Sequence, residues 1–120
     1  AGSAVAMRYG CQGDDLKVWN WKEDNSVSKD ENFMRLALVT ARNSVCTGGH
    51  MGSLIVNRNH EILAKSVNSP LFEPYSSDIH AEVNALGICG KKGMKTEGAT
   101  CYVTMPPCRK CFTCLVAAGI

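Results

Sequence analysis

A chain of 120 residues, of which 45% are hydrophobic and 20% charged, is long enough for one domain with a modest core and too short for two. Its formal net charge of +2 at pH 7 is too small to indicate a nucleic-acid or membrane surface. No stretch approaches the roughly 18 apolar residues of a membrane span, and no signal peptide is predicted. Seven cysteines, an odd number, argue against a disulfide scaffold and favour a reducing compartment, so we predict a cytoplasmic protein, with the nucleus as the alternative.

The first part of the chain shows no sustained hydrophobic periodicity. We predict a loose N-terminal arm over residues 1–27, in which residues 1–6 are the remnant of an expression vector, followed by one domain over residues 28–120. If the middle of the arm is extended, Trp19 and Trp21 share one face. We predict that these rings pack on the domain, and contact with a partner or a substrate is the alternative.

A capping box marks the start of the first helix, because Ser28 is followed three residues later by Glu31. Behind it, apolar residues at helical spacing predict an inward face that contains Met34, Leu38, Ala41 and Val45, with Phe33 and Ala37 beside them. This pattern predicts a helix that runs to about Ser44 or Val45, where Thr47-Gly48-Gly49 ends it.

The middle of the chain alternates between strand and loop patterns. A short apolar run at residues 52–56 is suited to a buried strand, and residues 61–68 return as a second strand after a turn at residues 57–60. Residues 69–78 carry two prolines and three serines and are predicted to form a loop, whose length favours a functional role.

The second half of the chain predicts a helix, a strand and a final helix. Asp78 is predicted to cap a helix over residues 80–89, and residues 99–104 are predicted to form a third strand. Two prolines end that strand, and Cys108 opens the last helix. The inward face of this helix is predicted to hold Cys111, Cys114, Leu115 and Val116. The order helix, hairpin, helix, strand, helix indicates an α/β fold.

Two short motifs, His80-Ala81-Glu82 and Pro107-Cys108-Arg109-Lys110-Cys111, carry the chemistry. One imidazole and two thiolates are three of the four ligands of tetrahedral zinc, and they leave one position for water or substrate. Glu82 is close enough to His80 to handle the proton of that water without binding the metal. The position of Cys108 and Cys111 at a helix N-terminus is predicted to lower the pKa of both thiols.

The combination of H-x-E with P-C-x-x-C resembles the zinc-dependent nucleobase deaminases. The chain is similar to the cytidine/deoxycytidylate deaminase family over about residues 31–120. The resemblance implies a cytidine deaminase-like three-layer α/β/α fold with a mixed sheet of five strands. The chain stops near the place where the family enters its fourth strand, so we expect the C-terminal strands to be missing and the third strand to be an open edge.

The resemblance further implies a zinc-dependent hydrolytic deaminase that converts a cytosine-containing nucleotide or nucleoside, with dCMP favoured, to the uracil form with release of ammonia. Glu82 is the implied catalytic residue, and the implied Zn²⁺ ligands are His80, Cys108 and Cys111. The implied substrate-binding residues are Asn68, Ala81, Pro107, Phe72 and Tyr75. A simple turn residue is the alternative for Asn68, and core or lid packing is the alternative for the two aromatic residues. The family also implies a homo-oligomer.

Two other interpretations stay open. A tRNA or other nucleic-acid deaminase would use the cluster of Lys91, Lys92 and Lys95 as a phosphate contact, although the low net charge argues against it. A non-catalytic deaminase-fold scaffold would be expected to close the metal with a fourth ligand and would leave Glu82 without a role. The chain also departs from deoxycytidylate deaminases before its first strand, where residues 47–52 lack the Asp-Pro-containing approach usual in those enzymes.

Overall fold

The computed structural model describes residues 12–72 and 77–120 of the chain. Its regular elements are the helices α1 (Lys29–Ala41), α2 (Ala81–Lys91) and α3 (Arg109–Ala117) and the strands β1 (Gly52–Val56), β2 (Ile62–Val67), β3 (Ser69–Phe72), β4 (Ser77–Ile79) and β5 (Thr100–Val103). A short 3₁₀ turn at Gly13–Asp15 precedes α1. The predicted α/β class is confirmed. Across the part of the chain that the structure describes, no helix has the length and apolar character needed to cross a membrane.

The central sheet has the strand order β2-β1-β5, and both pairings are antiparallel. β1 lies in the middle, and all five of its residues are buried. Among the described strands β5, the predicted third strand, pairs with β1 alone, so its second edge is open as expected. The described strands form no parallel pair, which a mixed sheet would need. The outer edge of β2 is covered at one point by Gln12, whose side-chain amide exchanges two hydrogen bonds of 3.0 Å with the backbone of Val67.

The two faces of the central sheet are covered by different helices. Because side chains alternate along a strand, Leu54 and Val56 of β1 point to one face and Ile55 to the other. The α1-side core consists of Phe33, Leu36, Ala37, Leu54, Val56 and Tyr102. The α2-side core consists of Ile55, Ala64, Ala85, Ile88, Cys89 and Ala99. The predicted three-layer α/β/α arrangement is therefore present, with α1 on one face and α2 on the other.

The first helix begins where the capping box predicts, because the Ser28 hydroxyl accepts a hydrogen bond of 3.1 Å from the backbone N–H of Glu31. It ends at Ala41, several residues before the predicted end. The side-chain amide of Asn43 donates to the backbone oxygen of Lys17 at 2.8 Å. This bond ties the segment before α1 to the helix end, where the backbone N–H groups of residues 42–44 bond to oxygens three residues earlier, as in a 3₁₀ turn.

The buried face of α1 differs from the predicted one. Leu38 is exposed, and so is Val45 beyond the helix end. Phe33, Leu36 and Ala37 are buried against the sheet instead. Of the predicted stripe, Ala41 is buried and Met34 packs against the α1-side core, so the prediction is correct in part, and the contact face extends to Leu36, which the prediction did not include.

Residues before α1 lie against the domain. Leu16 is buried, and Val18 and Trp21 pack against the α1-side core. The packing predicted for Trp21 is thus confirmed. Trp19 is 47% exposed, and the Arg42 guanidinium carbon lies 4.4 Å from its ring centroid, within the range of a cation–π interaction.

Residues 69–78, predicted to be a loop, contain a second, two-stranded sheet. β3 and β4 pair antiparallel, and Pro70 stands opposite Asp78. Proline lacks a backbone N–H, but both strands of a two-stranded sheet are edges, where the missing donor is tolerated. Residues 73–76 between the strands, which include Tyr75, lie outside the described residues.

The last helix, α3, contacts α2. Cys111 and Leu115, four residues apart, are buried as predicted. Cys114 and Val116, predicted to face inward, are exposed, as is Phe112. The reason is that residues four apart share one helix face, and a helix covered along one side buries that face alone.

Gly52, at the start of β1, permits the close approach of α1. A β-carbon added there would come within 2.3 Å of the carbonyl oxygen of Ala37 and 2.8 Å of the backbone nitrogen of Ala41. Backbone atoms of a packed helix cannot move aside as a flexible side chain can. We expect Gly52→Ala to lower the free energy of unfolding by about 3 kcal/mol, measured by urea denaturation.

The matched control for this prediction is Gly90→Ala in α2, where an added β-carbon meets nothing within 4 Å. Alanine has the higher helix propensity, so this variant should gain up to about 1 kcal/mol of stability. A Gly52→Ala protein as stable as the unmodified chain would contradict the close packing of α1 on β1.

Candidate metal and catalytic site

His80 immediately precedes α2 and forms its N-cap, with an extended backbone at φ −69° and ψ 151°. Its imidazole makes no capping hydrogen bond, so the ring is available to a metal. The prediction that Asp78 caps this helix is wrong, because Asp78 belongs to β4 and the chain turns into the helix two residues later.

Two side chains fix the first turn of α2 against β2 and β3. The Ser66 hydroxyl donates to the backbone oxygen of Ala81 at 2.6 Å. The Asn84 side-chain amide donates to the backbone oxygen of Val67 at 2.7 Å and to the Ser69 hydroxyl at 3.0 Å. These bonds set the position of the peptide between the predicted histidine ligand and the predicted catalytic glutamate.

Cys108 is the N-cap of α3, and its sulfur accepts a hydrogen bond from the backbone N–H of Cys111 at 3.5 Å. The two cysteines therefore stand one helical turn apart at the same end of α3. Cys108 is exposed, whereas Cys111 is buried.

The fold brings His80 to these cysteines. Its Nδ1 atom lies 3.5 Å from the sulfur of Cys108 and 3.3 Å from the sulfur of Cys111, and the three ligand atoms lie within 4.8 Å of one another. Zinc–sulfur bonds of about 2.3 Å and zinc–nitrogen bonds of about 2.0 Å at tetrahedral angles place nitrogen and sulfur about 3.5 Å apart. The donor atoms and their spacing thus fit Zn²⁺, the cofactor predicted from the motifs.

The two thiols differ in protonation. The backbone N–H of Cys111 lowers the pKa of the Cys108 thiol. Burial, together with Cys108 and Glu82 beside it, raises the pKa of the Cys111 thiol to about 12. The prediction that the helix N-terminus lowers the pKa of both thiols is therefore correct for Cys108 alone. Because a metal binds the thiolate form, binding at this site would release the proton of Cys111.

Glu82 lies in the first turn of α2 and is only 7% exposed. Its carboxylate is close enough to the Cys111 thiol to contribute to the raised pKa of that group. It lines the same cleft as His80 and Cys108. A buried carboxylate in this position can exchange protons with a molecule held in the cleft.

The cleft has a volume of about 190 Å³. Of the residues predicted to bind substrate, Asn68 and Ala81 line it. Pro107 is not among the described lining residues, although Met105 and Pro106 just before it are. Pro106 thus lines the wall, and the substrate-binding role of Pro107 stays a prediction.

For the two aromatic residues predicted to stack on the base, the structure gives at most the position of the backbone. Phe72 is the last residue of β3. Tyr75 lies outside the described residues. Their role in substrate binding stays a prediction.

The predicted substrate-binding residues leave out one wall of the cleft. Gly48, Gly49 and Met51 line it, as do Asp78 of β4 and Thr104 after β5. The two glycines were interpreted only as the end of α1. Hydrophobic periodicity gives no information about which cavity a loop faces. The only feature of the sequence that could have indicated this wall is the pair Gly48-Gly49.

Comparison with known proteins agrees with this site. The sequence matches the family described as the cytidine and deoxycytidylate deaminase zinc-binding region over residues 27–120. The chain is 31% identical over 108 residues to ComE operon protein 2 of Bacillus subtilis (strain 168), which covers 78% of this chain and 57% of that protein. It is 26% identical over 117 residues to the deoxycytidylate deaminase of Homo sapiens, covering 82% of this chain and 65% of that protein.

The fold is similar to the crystal structure of the dCMP deaminase from cyanophage S-TIM5 in apo form. The TM-score is 0.67 at 25% identity, and the superposition covers 82% of this chain and 80% of that chain. The chain spans less than two thirds of the length of the two curated relatives above, 57% and 65%. The family predicted from the two motifs is confirmed by the sequence match over residues 27–120 and by the fold: the chain belongs to the cytidine and deoxycytidylate deaminase zinc-binding family.

Proposed function

We propose that this chain catalyses the hydrolytic deamination of a cytosine ring with a zinc ion at the site described above. The observation that carries the proposal is the buried carboxylate of Glu82 beside a set of three metal-binding side chains. Catalytic zinc sites use three protein ligands and leave one position for water or substrate, whereas structural zinc sites use four. A non-catalytic scaffold would have no use for Glu82 at this place.

The residues of the cleft divide the chemistry between them. His80, Cys108 and Cys111 would hold the zinc ion, which when bound supplies a Lewis acid that lowers the pKa of water toward about 7. Glu82 accepts a proton from the attacking water and delivers it to the ring nitrogen beside the amine-bearing carbon. A carbon–oxygen bond forms at that carbon, and the bond from that carbon to the exocyclic amine nitrogen breaks. Glu82 then takes the second proton of that water from the added oxygen, which becomes the ring carbonyl, and passes it to the exocyclic amine, which leaves as ammonia.

The start of α2 can also orient the ring. The backbone N–H of Ala81 lies in the first turn, where helix amides have no intrahelical acceptor and the helix dipole favours negative charge. Ala81 lines the cleft, which supports a hydrogen bond from this N–H to the carbonyl oxygen of the pyrimidine. The substrate-binding roles of Pro107, Phe72 and Tyr75 rest on the family resemblance alone.

The substrate we propose is dCMP, and its support is that the human and cyanophage relatives are named as deoxycytidylate or dCMP deaminases. We further propose a homo-oligomer, which the open edge of β5 among the described strands supports. A reducing compartment, cytoplasmic or nuclear, is supported by the described cysteines, which are free thiols.

Ammonia release by the zinc-loaded protein tests the proposal. The substrates are cytosine, cytidine, deoxycytidine, CMP, dCMP and a tRNA anticodon stem-loop. We expect turnover of a free pyrimidine, with the highest kcat/KM for dCMP. Activity on the RNA alone would instead support a nucleic-acid deaminase, and silence on every substrate with zinc bound would support a non-catalytic scaffold.

A further inference from the structure

We propose that Asn68 is a positioning residue, which shapes the cleft by holding the loop after α1 in place. This loop, residues 44–51, is called here the glycine loop. The proposal rests on the proposed function, because the wall that Asn68 sets is a wall of the deamination cleft. It differs from the role implied by resemblance, in which Asn68 itself binds the sugar or base.

The side chain of Asn68 is 5% exposed, and its polar atoms are engaged by the glycine loop. Its Oδ1 accepts hydrogen bonds from the Ser44 hydroxyl at 2.7 Å and from the backbone N–H of Met51 at 2.9 Å. Its Nδ2 donates to the backbone oxygen of Gly49 at 2.9 Å. A carbonyl oxygen has two lone pairs, so Oδ1 has no acceptor capacity left for a substrate, and of the two Nδ2 donors one is used by Gly49, which leaves a single N–H for any direct contact.

The bonds reach the part of the loop that faces the cleft. Gly48, Gly49 and Met51 line it. Gly49 has φ +144°, a backbone conformation that residues with a side chain rarely adopt. This stretch has no helix or strand of its own, and its only backbone–backbone hydrogen bond to the described part of the chain is at Met51, whose oxygen accepts from the backbone N–H of Asn68, just after β2, at 3.2 Å. The two ties from Asn68, at Gly49 and at Met51, therefore set where this wall stands.

Ser44 separates the two roles of Asn68. It is buried, and it is not among the described residues that line the cleft. It can affect a bound substrate only through the loop or through Asn68. If Asn68 acts by holding the loop, Ser44→Ala must weaken substrate binding and accelerate exchange of the Met51 amide together; if Asn68 acts by direct contact alone, a change in substrate binding must not be accompanied by faster exchange of that amide.

The test compares Ser44→Ala, Asn68→Ala and the double variant, each loaded with zinc. The assay uses the free pyrimidine that the unmodified chain turns over fastest. We expect KM to rise about fivefold in Ser44→Ala and about tenfold in Asn68→Ala, with kcat changed less than about twofold. The double variant should be no worse than Asn68→Ala, because both changes break one network.

Hydrogen–deuterium exchange gives a readout that needs no activity. The Met51 amide donates to Asn68, so its exchange should accelerate at least about tenfold in Asn68→Ala and should accelerate measurably in Ser44→Ala. The control is Ile55→Val in the α2-side core, which should lower Tm by about 5 °C and leave both KM and the Met51 amide unchanged.

A normal KM and normal Met51 exchange in Ser44→Ala, together with a raised KM in Asn68→Ala, would overturn the proposal and make Asn68 a direct substrate contact. If the unmodified chain releases no ammonia from any substrate, the proposed function fails. The exchange of the Met51 amide still decides in that case whether Asn68 holds the loop.

Discussion

Replacement of Glu82 by glutamine is expected to lower kcat by about 10³- to 10⁴-fold while the protein keeps its zinc and its fold. The carboxylate handles both proton transfers of the proposed reaction, and an amide of the same shape can accept neither proton. Glu82 is separate from the three-residue metal cluster, so its loss should not release the metal. Ammonia release and zinc content by atomic absorption measure the two effects on the same sample.

Two further variants make this result interpretable. Glu82→Ala should be equally inactive, which shows that the loss is chemical and does not come from the new amide. Glu23→Gln, the same change at an exposed glutamate paired with Lys29, should keep full activity. A Glu82→Gln protein that has lost its zinc would show that the carboxylate is a ligand, and one with normal turnover would remove it from the mechanism.

Cys111→Ser is expected to lose zinc and stability together. The sulfur of Cys111 is buried and lies 3.3 Å from Nδ1 of His80, so its removal leaves only two of the three ligand atoms. A metal that binds the folded state alone, at a free concentration of about a thousand times its Kd, stabilises that state by about 4 kcal/mol. We expect Cys111→Ser to lose a contribution of this size, measured as Tm in the presence of zinc and of a chelator.

Cys114→Ser is the matched control, because Cys114 stands three residues further along the same helix and is exposed. It should bind one equivalent of zinc and unfold at the same temperature as the unmodified chain. The chelator should lower Tm of Cys114→Ser and leave Cys111→Ser unchanged. Loss of zinc from Cys114→Ser with retention by Cys111→Ser would show that the cluster is assigned to the wrong cysteine.

The features that the sequence predicted correctly depend on residues close together in the chain. The capping box at Ser28 and Glu31 starts α1 because both partners lie within one turn. Cys108 and Cys111 share the start of α3 because they are three residues apart in the sequence. The family and the zinc chemistry were predicted from such motifs, because the type and spacing of ligand side chains indicate which metal they can bind.

Features that depend on packing between distant segments were beyond the sequence. Leu38 and Ala37 are both apolar and adjacent on α1, and the contact with β1 decides that Ala37 is buried and Leu38 exposed. The raised pKa of Cys111 has the same origin, because a helix start favours the thiolate and burial opposes it. The pairing of β3 with β4 was missed because a proline-containing segment gives little strand signal.

The site as a whole divides in the same way. The sequence by itself determined the ligand types and the family, and it predicted Glu82 as the catalytic carboxylate, because these depend on residue chemistry at short spacing. The two motifs together also predicted that His80 meets Cys108 across 28 residues, whereas only the tertiary structure decided that Asn68 ties down the glycine loop at one wall of the cleft. Contacts of this kind form when distant helices and strands pack around a common sheet. The free energy of that packing depends on all of these segments together, so no single stretch of the sequence predicts it.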